Sequence, residues 1–174
     1  MSEDVFRHNY WNEPGVPHKN WTEICVVDKE NEHEYCEMCG KEDIRYVHVM
    51  NHKDTGMTKR VGCVCAENMC EDYVMPRKRE RWARNKAKRK QNFLKKWGKE
   101  KDEKTSYFLN YKGHDFSIIP YERLKSLTIT FDKERYGFYK NVPIRTLNLA
   151  KCLLFDRLER SEWEKKINSA KRHL

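Results

Sequence analysis

Hydrophobic and polar positions divide the chain into stretches of different period. After an irregular arm with Pro14-Gly15 and Pro17, the run Ile24-Cys25-Val26-Val27 predicts a short strand. Ile44 to Met50 is rich in β-branched and aromatic residues and predicts a second strand. Asn51 to Gly56 is a turn, Met57 to Cys63 the returning strand, and Ala66 to Tyr73 the start of a helix. Arg77 to Trp97 contains no Gly or Pro and is rich in good helix formers, which predicts a helix roughly 30 Å long. Its apolar residues Trp82, Ala83, Ala87, Phe93, Leu94 and Trp97 form one narrow stripe. Tyr107-Phe108-Leu109 and Phe116 to Ile119 flank a turn at Lys112-Gly113. Leu127 to Phe131 alternates with period two, and Tyr136 to Tyr139 follows a turn at Asp132-Lys133. Leu147, Ala150, Leu154 and Leu158 recur at the helical period, and Ser161-x-x-Glu164 has the form of a capping box that would open a further helix.

These elements predict an α+β chain with a small hairpin module, a long basic helix, and C-terminal antiparallel strands with a packing helix. The expected divisions are an arm at 1–24, a cysteine-rich module at 25–76, the basic helix and connector at 77–101, and a strand–helix domain at 102–174. Charge sharpens them. Residues 1–76 carry 8 Lys/Arg against 15 Asp/Glu, residues 77–101 carry 13 against 2, and residues 102–174 carry 15 against 10. The central block thus holds more positive charge than the whole chain, whose net charge is +9. Such a block points to a solvated face or a polyanion-binding element. With 38% apolar and 36% charged residues one large core is not expected, and the 12% aromatics argue against full disorder. The longest apolar run, Cys152 to Phe155, is far short of the ~20 residues that span a bilayer. Met1-Ser2-Glu3-Asp4 leads into no apolar segment, so no signal peptide and a cytoplasmic setting are expected.

Five of the seven cysteines lie between Cys36 and Cys70. A reducing compartment disfavours disulfides, and the Cys36-x2-Cys39-x23-Cys63-x-Cys65 spacing fits four thiolates around one structural zinc. Cys63 and Cys65 converge if the chain between them is extended, because residues i and i+2 then point the same way. His48, His52 and Cys70 are rival fourth ligands, the two histidines sharing a hairpin face with Tyr46 and Met50.

The stretches Val16-Pro17-His18-Lys19-x-Trp21, Cys36-Glu37-Met38-Cys39-Gly40, Ile44-Arg45-Tyr46-Val47-His48-x-Met50-x-His52 and Val61-Gly62-Cys63-Val64-Cys65-Ala66 resemble a set of bacterial and phage zinc-knuckle proteins. In these a knuckle and hairpin precede a basic helix and a small strand-rich unit whose helix ends near Phe-Asp, as Phe155-Asp156 does here. The resemblance covers roughly residues 16–158. It implies a treble-clef-like metal module and brings no activity with it. The C-terminal strand–strand–strand–helix order is similar to integrase-type DNA-binding units in topology alone.

The leading functional expectation is nucleic-acid binding, to DNA or RNA, by a regulatory protein of phage or mobile-element type. Arg77, Arg81, Arg84, Lys88 and Lys95 line one side of the helix, flanked by Lys78, Arg89 and Lys96. A protein-interaction module that regulates a host complex is the alternative reading. Asn51-His52 beside a knuckle resembles the His-Asn-His nucleases, but these need a metal-binding His on the following helix. Ala66 to Trp97 contains none.

Overall fold

The computed structural model describes residues 9–98 and 104–171 and shows a mixed α+β chain with several antiparallel sheets. Contacts divide it into two units, residues 1–88 and 89–174.

In the first unit, β1 (Trp21–Asp28) is the edge of a three-stranded sheet and pairs with the strand at Tyr46–His52. Between them β2 (Glu34–Tyr35) and β3 (Asp43–Ile44) pair antiparallel, Glu34 opposite Ile44, and hold the Cys36–Glu42 loop at their end. The sheet continues through β4 (Tyr46–His52) and β5 (Thr58–Val61). A register shift between Glu23 and Cys25 kinks β1. Val47, Met50 and Val61 bury fully beneath α1 (Cys63–Cys70), with Trp21, Met38 and Met69. This helix starts at Cys63, three residues before the expected Ala66, because Gly62 takes the extended N-cap conformation. Glu71 ends it in the left-handed region, with φ of 55°. Asp72 Oδ1 then accepts the N–H groups of Val74 and Met75, the cap that launches α2 (Met75–Lys96).

The division between units falls inside α2, not at the charge steps of 76/77 and 101/102. Charge reports what faces water, whereas a unit is set by which core a side chain enters. From Arg89 onward α2 belongs to the second unit, where Phe93 is fully buried and Trp97 nearly so. Phe93 meets Trp97, Tyr111 and Phe116 edge to face, with centroids 5.9, 5.8 and 5.2 Å away. Residues 99–101 of the expected connector, and 102–103 at the start of the expected strand–helix domain, lie outside the described residues.

The second unit is a four-stranded antiparallel meander of β6 (Tyr107–Tyr111), β7 (His114–Tyr121), β8 (Ser126–Phe131) and β9 (Glu134–Tyr136). Its first turn has positive φ at both Lys112 and Gly113, as a two-residue hairpin requires. A small hairpin follows, of β10 (Phe138–Tyr139) and β11 (Val142–Pro143). Helix α3 (Leu147–Lys171) packs on β7 and β8 through Leu147, Ala150, Leu154 and Leu158. No break occurs at Ser161. A capping box needs a non-helical first residue, and nothing between Leu147 and Lys171 forces one, so Ser161 and Glu164 stay inside α3. Replacing Phe93 by Ala is expected to cost about 3–5 kcal/mol, read as a lower urea midpoint, because four ring contacts collapse into a cavity.

Candidate metal centre and cationic helix

The Cys36–Glu42 loop is a tight knuckle. The Cys36 N–H donates to the Glu42 carbonyl and the Gly40 N–H to the Cys36 carbonyl, each at 2.8 Å. Gly40 sits at φ of 66°, which suits a residue without a Cβ. The Glu37 N–H donates to the Arg60 carbonyl at 2.9 Å and so ties the loop to β5. This geometry gathers donors around one sulfur. The Cys65 thiol and the backbone N–H groups of Cys39, Gly62 and Met38 all point at Cys36 Sγ. Their hydrogen bonds, led by that of Cys65, outweigh burial and hold the Cys36 thiol well below its usual range. Sharing its proton with Cys36, and buried, the Cys65 thiol is pushed up. The indole of Trp11 also reaches Cys65.

Cys36, Cys39 and Cys65 place their sulfurs within 4.8 Å of one another. Cys63, expected as the fourth member, is elsewhere. The expectation needed an extended chain between Cys63 and Cys65, but both lie in the first turn of α1. Two residues apart on a helix are turned by about 200°, so one side chain faces the knuckle and the other turns away.

Cys63 instead meets His48 of β4 and Glu80 of α2, again within 4.8 Å of one another. His48 is fully buried; its Nε2 faces Glu80 and its Nδ1 faces Glu23, each at 3.3 Å. Burial opposes the charged ring, but the hydrogen bonds and charges of these two carboxylates prevail and raise His48 to about 9. The bond to His48 lowers Glu80 to about 2. Burial and the neighbouring Glu80 and Glu67 push Cys63 up to about 12. Arg79 completes the set, donating to Glu23 at 2.6 Å. The two remaining rivals join neither group. His52 Nδ1 faces Thr55, and its ring meets Trp21 at 5.2 Å. Cys70 contacts the carbonyls of Glu67 and Asp72.

The basic helix keeps fewer free cations than its composition promised. Arg77 pairs with Glu67, Arg84 with Glu80, Arg79 with Glu23 and Arg89 with Glu159. The Arg84 guanidinium also lies over the Tyr46 ring, 4.8 Å from its centroid. In the first unit Lys78, Arg81 and Lys88 are exposed and form no ion pair among the described residues, Lys78 acting on Asp72 by charge alone. In the second, Lys95 and Lys96 are exposed as well. Trp82, 63% exposed, stands among the free cations of the first unit, whereas Phe93 and Trp97 are core residues. In the first unit a groove of about 330 Å³ is lined by Cys63, Val64, Arg77, Glu80, Arg81 and Arg84.

Sequence reasoning missed Glu80 and Glu23. Glu80 carried a signal, as the single acid between Arg77 and Lys99 in a strongly basic run. Glu23 carried none. Among the described residues no helix is long and apolar enough to cross a membrane. No protein-family model, curated protein or solved structure matches the chain.

Proposed function

We propose that the chain is a zinc-stabilised nucleic-acid-binding protein. The carrying observation is the exposed row of Arg77, Lys78, Arg81, Arg84 and Lys88 on α2, with Trp82 standing free beside it. Cations one turn apart match a phosphate lattice, and an exposed indole offers a stacking face to unpaired bases. Zinc would be held by Cys36, Cys39 and Cys65, whose donors fit it. Thiolate is its preferred ligand in structural sites, and three backbone N–H groups already stabilise a negative Cys36 sulfur. The metal would fix the knuckle against α1 in a unit with a small core. Knuckle, hairpin and helix follow one another in treble-clef order, in keeping with the resemblance to the bacterial and phage zinc-knuckle proteins.

Fluorescence anisotropy with labelled duplex and single strands tests this reading. Five phosphate contacts on a duplex predict that log affinity falls against log salt with a slope of about −4.5. Sequence preference should be slight, since such contacts carry no base code. Salt-insensitive or absent binding would favour the second reading, a protein-interaction module. That reading draws on the β10–β11 hairpin, whose Phe138 and Val142 are 55% and 60% exposed.

A further inference from the structure

The His48–Cys63–Glu80 group has the features of a metal site in its own right. Its donors are one imidazole, one thiol and one carboxylate, drawn from β4, α1 and α2. This mixed set is the kind that binds zinc, and the same three ligand types occur in catalytic zinc sites. Donors around a tetrahedral zinc stand about 3.5 Å apart, so a group already within 4.8 Å needs only side-chain adjustment to close.

The surroundings match as well. A metal-ligating histidine usually gives its other ring N–H to a carboxylate, which fixes the tautomer and aims the free nitrogen at the metal. Glu23 stands in that place, 3.3 Å from Nδ1, with its side chain 2% exposed and anchored by Arg79. Nε2 is thereby turned toward Cys63 and Glu80. A purely structural ion pair would account for His48 between two carboxylates. It would not account for a thiol brought to the same point from a different element.

We infer that His48 Nε2, Cys63 Sγ and a Glu80 carboxylate oxygen bind a second zinc-type ion whose fourth position opens on the arginine-lined groove. Cys63 and Glu80 both line that groove, while His48 closes the site from the buried side. Three protein ligands with one open position leave room for water or an anionic oxygen. Arg77, Arg81 and Arg84 make the approach cationic, so a phosphate oxygen is the ligand class that suits it. The site is independent of the three-cysteine cluster, since the two groups share no ligand.

Titration of the full chain with cobalt(II) tests the inference by stoichiometry and spectrum. Cys63→Ser and Glu80→Gln are each expected to bind one equivalent fewer than the parent. Both should keep the intense thiolate-to-cobalt band of the three-cysteine cluster. Two variants guard against one failing to fold, and circular dichroism of each loaded protein checks this. Inorganic phosphate is expected to shift the ligand-field band that the two variants lack. Unchanged metal content in both variants would reduce the group to an ion pair and overturn the proposal. Loss of the thiolate-rich band in Cys63→Ser would overturn it too, making Cys63 the fourth ligand of a single zinc. A band indifferent to phosphate would overturn the open position.

Discussion

Reversing Lys78, Arg81 and Lys88 to Glu together is expected to weaken duplex binding by roughly 10²- to 10³-fold at 0.1 M salt. The factor follows from counterion release: three lost contacts remove about 2.7 powers of the salt concentration from the binding constant. The slope of log affinity against log salt should shrink from about −4.5 to about −2. These three residues are chosen because they are exposed and none forms an ion pair among the described residues. Arg84 is spared because it holds Glu80. Thermal unfolding and metal content are therefore expected to match the parent. A triple variant that binds duplex and single strands as tightly as the parent would show that the helix merely faces water.

Serine at Cys36 is expected to unfold the first unit. Structural zinc contributes about 10–16 kcal/mol in small zinc modules, as much as the whole stability of a typical domain, about 5–15 kcal/mol. Cys36 is the least replaceable of the three, since it is fully buried and its thiolate is favoured by Cys65 and the backbone N–H groups around it. Limited proteolysis should then cut within residues 9–88 while the strands and α3 of the second unit stay protected. Zinc content should fall with it. Serine at Cys25, Cys70 or Cys152 is expected to leave zinc unchanged, as none of them joins the cluster. Full zinc retention after the loss of Cys36 would remove the metal from this reading.

The strands were legible because alternation is a local property. Leu127, Ile129 and Phe131 declare their common face within a few residues, and the pairing of β8 follows. Helix α2 was legible for the same reason, since an unbroken run of helix formers needs no partner to identify it, whereas α3 was read whole only up to the false capping box at Ser161. The metal group was only partly legible. Cys36 and Cys39 are fixed by their own loop, whereas the direction of Cys63 depends on whether its backbone is strand or helix. That was decided by Gly62, one residue away. The His48 cluster was illegible because its members are scattered from Glu23 to Glu80, and only the tertiary fold brings them together. Charge counting overstated the free surface of α2 because it could not see Glu23, Glu67 and Glu159 arriving from other elements.

Helix α2 supplies partners to buried polar groups of the first unit and aromatic rings to the core of the second, and this limits how the gene can be cut. A fragment ending at Pro76, where the charge changes sign, would leave His48 without Glu80 and Glu23 without Arg79. These two buried side chains of the sheet would then each keep only the other as partner. A fragment beginning at Asp102, at the other charge step, would lack Phe93 and Trp97 and so carry an open hole in its aromatic cluster. A cut at either charge step therefore yields a piece missing part of its own interior. Fragments that each retain the segment from Met75 to Gly98 overlap by design and keep both interiors whole. The same reasoning applies to natural recombination, which can exchange either half only by carrying a copy of this helix along.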